Sequence, residues 1–128
     1  NFFSRRLIKP EDLNPNNTLF GGRLLQWIDE EAGIYAMTKL EDTRVVTKYM
    51  SEINFVSSAH QGDVIEIGLR LVRAGTTSMT FACEVRNLFS KRTIITIDEI
   101  VFVYLDEQNR PKPHGKALED LIKPAKHQ

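Results

Sequence analysis

The chain has 128 residues, 41% of them hydrophobic, and its 17 lysines and arginines balance 17 aspartates and glutamates. That size gives one domain, spanning 1–128, whose core hides roughly two-thirds of the unfolded surface. Zero net charge argues against nucleic acid as the main partner, and no apolar run approaches the ~18 residues of a membrane span.

In chain order, residues 2–9 read as a first strand stopped by Pro10. Glu11 to Thr18, with Pro15 and three asparagines, reads as a structured loop. The spacing of Leu24, Leu25, Ile28, Ala32, Tyr35 and Ala36 predicts a helix from Gly21 to Lys39. Trp27, Ile34 and Met37 widen its apolar stripe, so the helix is expected to be buried on several sides. From Asp42 the pattern turns to strands. Arg44–Ser57 reads as one long β-rich run, and His60–Asp63 as a turn. Ile65, Ile67, Leu69 and Leu71 alternate with polar positions as in a half-buried strand, and Met79, Phe81, Cys83 and Val85 do so again. Ala74–Thr76 and Asn87–Arg92 are the intervening turns, and Thr93–Leu105 is the last strand. Asp98 and Glu99 stand side by side in that strand, so one acid faces the covered side or a bulge lies there. A polar tail follows (113–128), with one turn of helix expected at Ala117–Ile122. The fold class is therefore α+β, a largely antiparallel sheet of about five strands curled around one central helix. One helix covers only one face of such a sheet, so self-association is expected.

The lone Cys83, at a strand core position, rules out an intrachain disulfide and fits a reducing, cytoplasmic setting. His60, His114 and His127 lack ligand spacing, so no metal site is expected. Attention falls instead on Asn16-Asn17-Thr18-Leu19-Phe20-Gly21-Gly22 and the helix it opens. Glycines let a ligand approach the backbone, and unspent first-turn N–H groups suit a developing negative charge. Each well-placed donor of that kind is worth on the order of 3 kcal/mol to an oxyanion. Tight helix packing under the sheet is the competing reason for two glycines. Asp29 stands seven residues beyond Gly22, with Gly22, Gly33 and Ala36 leaving room around it. It is a general base or nucleophile in one reading, and a surface acid paired with Arg23 or Gln26 in the other. The Arg73-Ala74-Gly75-Thr76-Thr77-Ser78 stretch suits phosphate or amide contacts, although hairpin chemistry alone accounts for it. Lys91-Arg92 is a solvated turn with phosphate contact as the sharper option.

Phe20-Gly21-Gly22, six residues, then Asp29-Glu30-Glu31-Ala32-Gly33 resembles the helix signature of hotdog-fold acyl-CoA thioesterases. Val45-Val46-Thr47 through Ile53-Asn54-Phe55, Gln61-Gly62-Asp63-Val64 and Arg73 to Met79 resemble further blocks of that family, in order, over roughly residues 6–112. The resemblance implies hydrolysis of acyl-CoA to free acid and coenzyme A, with no cofactor beyond the substrate. It also implies subunits joined edge to edge, active sites between them, and dimers assembling into trimers of dimers. Carried onto this chain, Asp29 is the catalytic carboxylate, and backbone N–H groups at Phe20–Gly22 of the partner polarise the carbonyl. Asn16 or Asn17, with Thr18 as a substitute, places water or thioester. Arg73, Gly75, Thr76, Thr77, Ser78 and Arg92 hold coenzyme A. Two departures stand out: several relatives have histidine where this chain has Phe20, and a proline near Ser57-Ser58-Ala59 is missing. A dehydratase on the same fold needs a histidine in the loop or helix, and none is there. A non-catalytic acyl-CoA sensor is the alternative. Leu25, Tyr35, Phe55 and Met79 are the candidates for lining the acyl tunnel.

Overall fold

The computed structural model describes residues 2–122. His127 and the last part of the expected tail lie outside the described residues. Strand β1 (Phe2–Leu7) leads through a 3-10 turn at Pro10–Asp12 into helix α1 (Gly21–Leu40). Strands β2 (Val45–Met50), β3 (Ile53–Phe55), β4 (Val64–Ala74), β5 (Ser78–Asn87) and β6 (Thr93–Tyr104) follow, then a single helical turn α2 (Leu118–Leu121). They form one six-stranded sheet in the order β1-β4-β5-β6-β2, with β3 also paired to β6. Every pairing is antiparallel.

The alternating residues of β4, β5 and β6 behave as their periodicity requires. Ile65, Ile67, Leu69, Phe81, Val85, Ile95, Ile97 and Ile100 are each at most 1% exposed. They meet Leu24, Ile28, Ala32, Tyr35 and Ala36 of α1 in one core. Tyr35 and Phe81 rings lie 5.1 Å apart, and Phe81 meets Phe102 edge-on at 5.9 Å. Ile34, counted toward the apolar stripe, is instead 49% exposed.

The expected single run Arg44–Ser57 is two strands. Register on β6 jumps from Met50↔Ile100 to Ile53↔Ile97, leaving Ser51 and Glu52 opposite Asp98 and Glu99. On the other side of β6, Phe81↔Ile100 jumps to Cys83↔Ile97 across the same two acids. The bulge turns both carboxylates out of the core: Asp98 is exposed and Glu99 half-buried. Ser51 stitches the break, its N–H donating to the Glu99 carbonyl and its Oγ accepting from the Glu99 N–H.

The segment after β6 does more than a polar tail. It runs back over the hairpin between β4 and β5, with the His114 N–H on the Thr76 carbonyl. His114 Nδ1 accepts from the Lys116 N–H, which leaves Nε2 to donate to the Ser78 carbonyl. α2 then drops Leu121, 1% exposed, into the core.

Candidate active site

Helix α1 starts without a side-chain cap. Phe20 occupies the N-cap position with extended backbone (φ −66°, ψ 124°), and its side chain makes no capping bond. The Phe20 N–H donates to the Asp12 carbonyl at 2.9 Å. Of the donors expected at Phe20–Gly22, that one is therefore already spent. Among the described residues, the N–H groups of Gly21, Gly22 and Arg23 have no hydrogen-bond partner. A cavity of about 370 Å³ opens beside Gly21, bordered by Asn14, Thr18, Phe55, Ser57 and Ile94.

The loop before the helix is organised by Asn14, not by Asn16 or Asn17. Asn14 Oδ1 accepts from the N–H groups of Asn16 and Thr18, and its Nδ2 donates to Thr18 Oγ1 at 3.0 Å. Asn16 and Asn17 are exposed at the tip, Asn17 with φ 62°. Asn14 and Thr18 are the polar residues of this loop that line the cavity, together with Leu19. An Asx turn two residues before a tip asparagine was the available sequence signal for Asn14.

Asp29 lies on an exposed strip of α1, about two turns and ~10 Å beyond Gly22. Its partner is neither Arg23, which pairs with Asp12, nor Gln26, which bonds Glu30. The Thr47 hydroxyl on β2 donates to Asp29 Oδ1 at 2.6 Å. Nothing in the helical spacing points to Thr47, because the contact crosses from helix to strand. It ties down one of the two carboxylate oxygens.

Among the described residues β2 ends the sheet with β6 as its one strand neighbour, which leaves its outer edge open. Exposed apolar side chains lie on β2 (Val46, Tyr49), at the end of β3 and just after it (Phe55, Val56), and on or just before α1 (Ile34, Phe20). The other predicted groups lie elsewhere. Arg73 is held by Glu99 at 2.6 Å, and Gly75 donates to the Ser78 carbonyl in a tight hairpin, with Thr76 and Thr77 at its tip. Arg92 sits at the opposite end of β5, about 30 Å from that hairpin at strand rise. Within one chain Arg73 and Arg92 cannot share a ligand. Of the tunnel candidates, Tyr35 and Met79 are buried in the core, Leu25 is half-buried, and Phe55 alone borders the cavity. Cys83 is core packing, its thiol pushed up to about 12 by burial and then by Glu84. Among the described residues no group of three or more His, Cys, Asp or Glu side chains could hold a metal ion. No helix there is long and apolar enough to cross a membrane.

A curled antiparallel sheet around one long helix is the hotdog architecture. The thioesterase superfamily model matches residues 16–91, from the Asn16 tip through Asp29 to the turn after β5. The chain belongs to that superfamily, among its acyl-CoA thioester hydrolases. The acyl-CoA thioester hydrolase YciA of Salmonella typhimurium is 30% identical over 115 residues, covering 85% of this chain and 86% of that protein. The acyl-CoA hydrolase of Staphylococcus aureus, solved with butyryl coenzyme A and coenzyme A, is 30% identical with a TM-score of 0.78. That match covers 88% of this chain and 67% of the S. aureus chain. Further structures of the S. aureus enzyme carry single alanine replacements of an aspartate, an asparagine and a threonine. A hexameric thioesterase from Yersinia pestis is 26% identical with a TM-score of 0.78, covering 86% of this chain and 91% of that one.

Proposed function

We propose that this protein hydrolyses the thioester of acyl-CoA to free acid and coenzyme A, at a site completed by two subunits. The observation that carries the reading is the Asp29–Thr47 pair on the exposed helix strip, beside a free sheet edge. Asp29 Oδ2 takes a proton from water, or attacks the thioester carbon itself, while Thr47 holds Oδ1. The carbonyl oxygen, which gains negative charge as the tetrahedral intermediate forms, accepts from the free N–H groups of Gly21 and Gly22.

A single chain holds Asp29 and Gly22 too far apart to grip one carbonyl. Antiparallel pairing of two β2 edges reverses one subunit relative to the other. That brings Asp29 of one beside the helix start of its partner and covers Val46, Tyr49 and Ile34. The same reversal puts the Arg73–Ser78 hairpin of one subunit at the end where the other has Arg92. Coenzyme A phosphates are assigned to those two turns jointly. The hexameric relatives support assembly of such dimers into trimers of dimers. A lone buried thiol agrees with a cytoplasmic setting.

The asparagine role moves to Asn14. In the S. aureus enzyme the altered asparagine precedes the altered aspartate by fifteen residues, the separation of Asn14 from Asp29 here. The altered threonine follows by seventeen, one short of Thr47.

The test is release of free thiol from acyl-CoA by purified protein and its Asp29→Asn variant. Loss of about a thousandfold in kcat, with the circular dichroism spectrum unchanged, is expected. Full activity in the variant overturns the assignment, and binding without turnover in the parent protein points to a sensor.

A further inference from the structure

Phe20 is the residue that keeps the helix donors available. The backbone there has the extended geometry of an ordinary N-cap, and its carbonyl already accepts the first intrahelical bond, from Leu24 at 3.1 Å. N-cap positions favour Ser, Thr, Asp or Asn, whose side-chain oxygen accepts from the second or third helical N–H. In this helix those are Gly22 and Arg23. A capping oxygen at position 20 that accepted from Gly22 would occupy a donor that the proposed reaction uses. The chain puts a phenyl ring there instead.

The ring is placed as well as inert. Although 55% exposed, it folds back over the helix start: a Cβ built on Gly22 would stand 2.9 Å from Phe20 Cε2. The Phe55 ring flanks the neighbouring residue, 3.5 Å from a Cβ built on Gly21. Two apolar rings thus bracket two unsatisfied N–H groups at the mouth of the cavity lined by Asn14 and Thr18.

We propose that Phe20 is a positioning residue for thioester hydrolysis. By leaving the helix uncapped and folding its ring over Gly22, it keeps the Gly22 N–H, next to that of Gly21, free for the substrate carbonyl. This rests on the reading that Gly21 and Gly22 receive that carbonyl. The arrangement gives up the stability of an ordinary cap in favour of a free donor pair.

Phe20→Ser and Phe20→Ala separate the two contributions, since they remove the same ring and differ by one hydroxyl. Thermal unfolding and steady-state kinetics with one acyl-CoA are measured on both, with Phe20→Leu as the conservative variant. Phe20→Ser is expected to melt about 3 °C above Phe20→Ala. Its kcat is expected to fall about 100-fold below that of Phe20→Ala, the cost of losing one oxyanion donor. Phe20→Leu, apolar and unable to cap, should retain kcat near that of the parent. Equal melting temperatures and equal kcat for Ser and Ala would overturn the role of Phe20 while leaving the carbonyl site intact. A raised melting temperature with undiminished kcat would instead overturn the carbonyl site itself, because the donor would be filled without consequence. A fall in kcat for Phe20→Leu as large as for Phe20→Ser would reduce Phe20 to a packing residue.

Discussion

The two ends of helix α1 obey opposite rules. At its C-terminal end carbonyls of the last turn have partners. Glu41 adopts the left-handed conformation (φ 55°) and sends its N–H to the Met37 carbonyl, and Asp42 N–H reaches the same oxygen. Lys116 Nζ donates to the Lys39 carbonyl, and Leu121 packs the returning segment into the core. Among the described residues the N-terminal end has three N–H groups without a partner, two glycines and no side-chain cap. The same chemistry that completes a helix at one end is withheld at the other. An open helix end beside a cavity has donors to offer, whereas the bonded end holds the chain together.

Changes at the open end should cost catalysis and not folding, and the Asp29→Asn loss sets the upper bound. At the closed end the currency is stability. Leu121→Ala removes a fully buried side chain and is expected to cost about 2–4 kcal/mol, read as a drop in the urea midpoint. Activity per folded molecule should hold at 25 °C. A large fall in kcat from this variant would break the division between the two ends. Lys116→Met keeps the aliphatic stem and deletes the bond to the helix carbonyl, which should cost about 1 kcal/mol by the same measurement.

The smallest effect concerns acid. Asp42, just past the helix, is held below its ordinary value of 3.8, chiefly by the Tyr104 hydroxyl donating to Oδ2 at 2.7 Å. A depressed carboxylate contributes stability that is fully present above its unfolded pKa and lost as pH falls through its folded one. The melting-temperature gap between the parent and Tyr104→Phe should therefore be constant near neutrality and close below about pH 4. A gap independent of pH would show that the hydroxyl bond has no linkage to Asp42 ionisation.

Sequence periodicity made the framework readable, because α1, β4, β5 and β6 each bury one face and carry the matching period. It also flagged the acid pair Asp98-Glu99, and the register jumps on both sides of β6 are the bulge that pair required. The break between β2 and β3 was invisible because residues 44–57 are rich in strand formers throughout. It is set by the bulge on the facing strand. The candidate site was legible where it runs along one helix, from Gly21 to Asp29. It was not legible where contacts cross elements, as with Thr47 and Glu99, or where a loop folds on itself, as with Asn14. Arg73 and Arg92 read as neighbours in function because a sequence does not display which end of a sheet a turn occupies.

The single tryptophan lends the molecule an internal optical probe. Trp27 is 7% exposed, on the flank of α1 facing β1, with the Arg6 guanidinium 5.2 Å above its ring. That flank is the side of the helix away from β2 and Asp29. Its emission therefore follows the seam between the helix and the far edge of the sheet, and stays quiet while substrate comes and goes at the other.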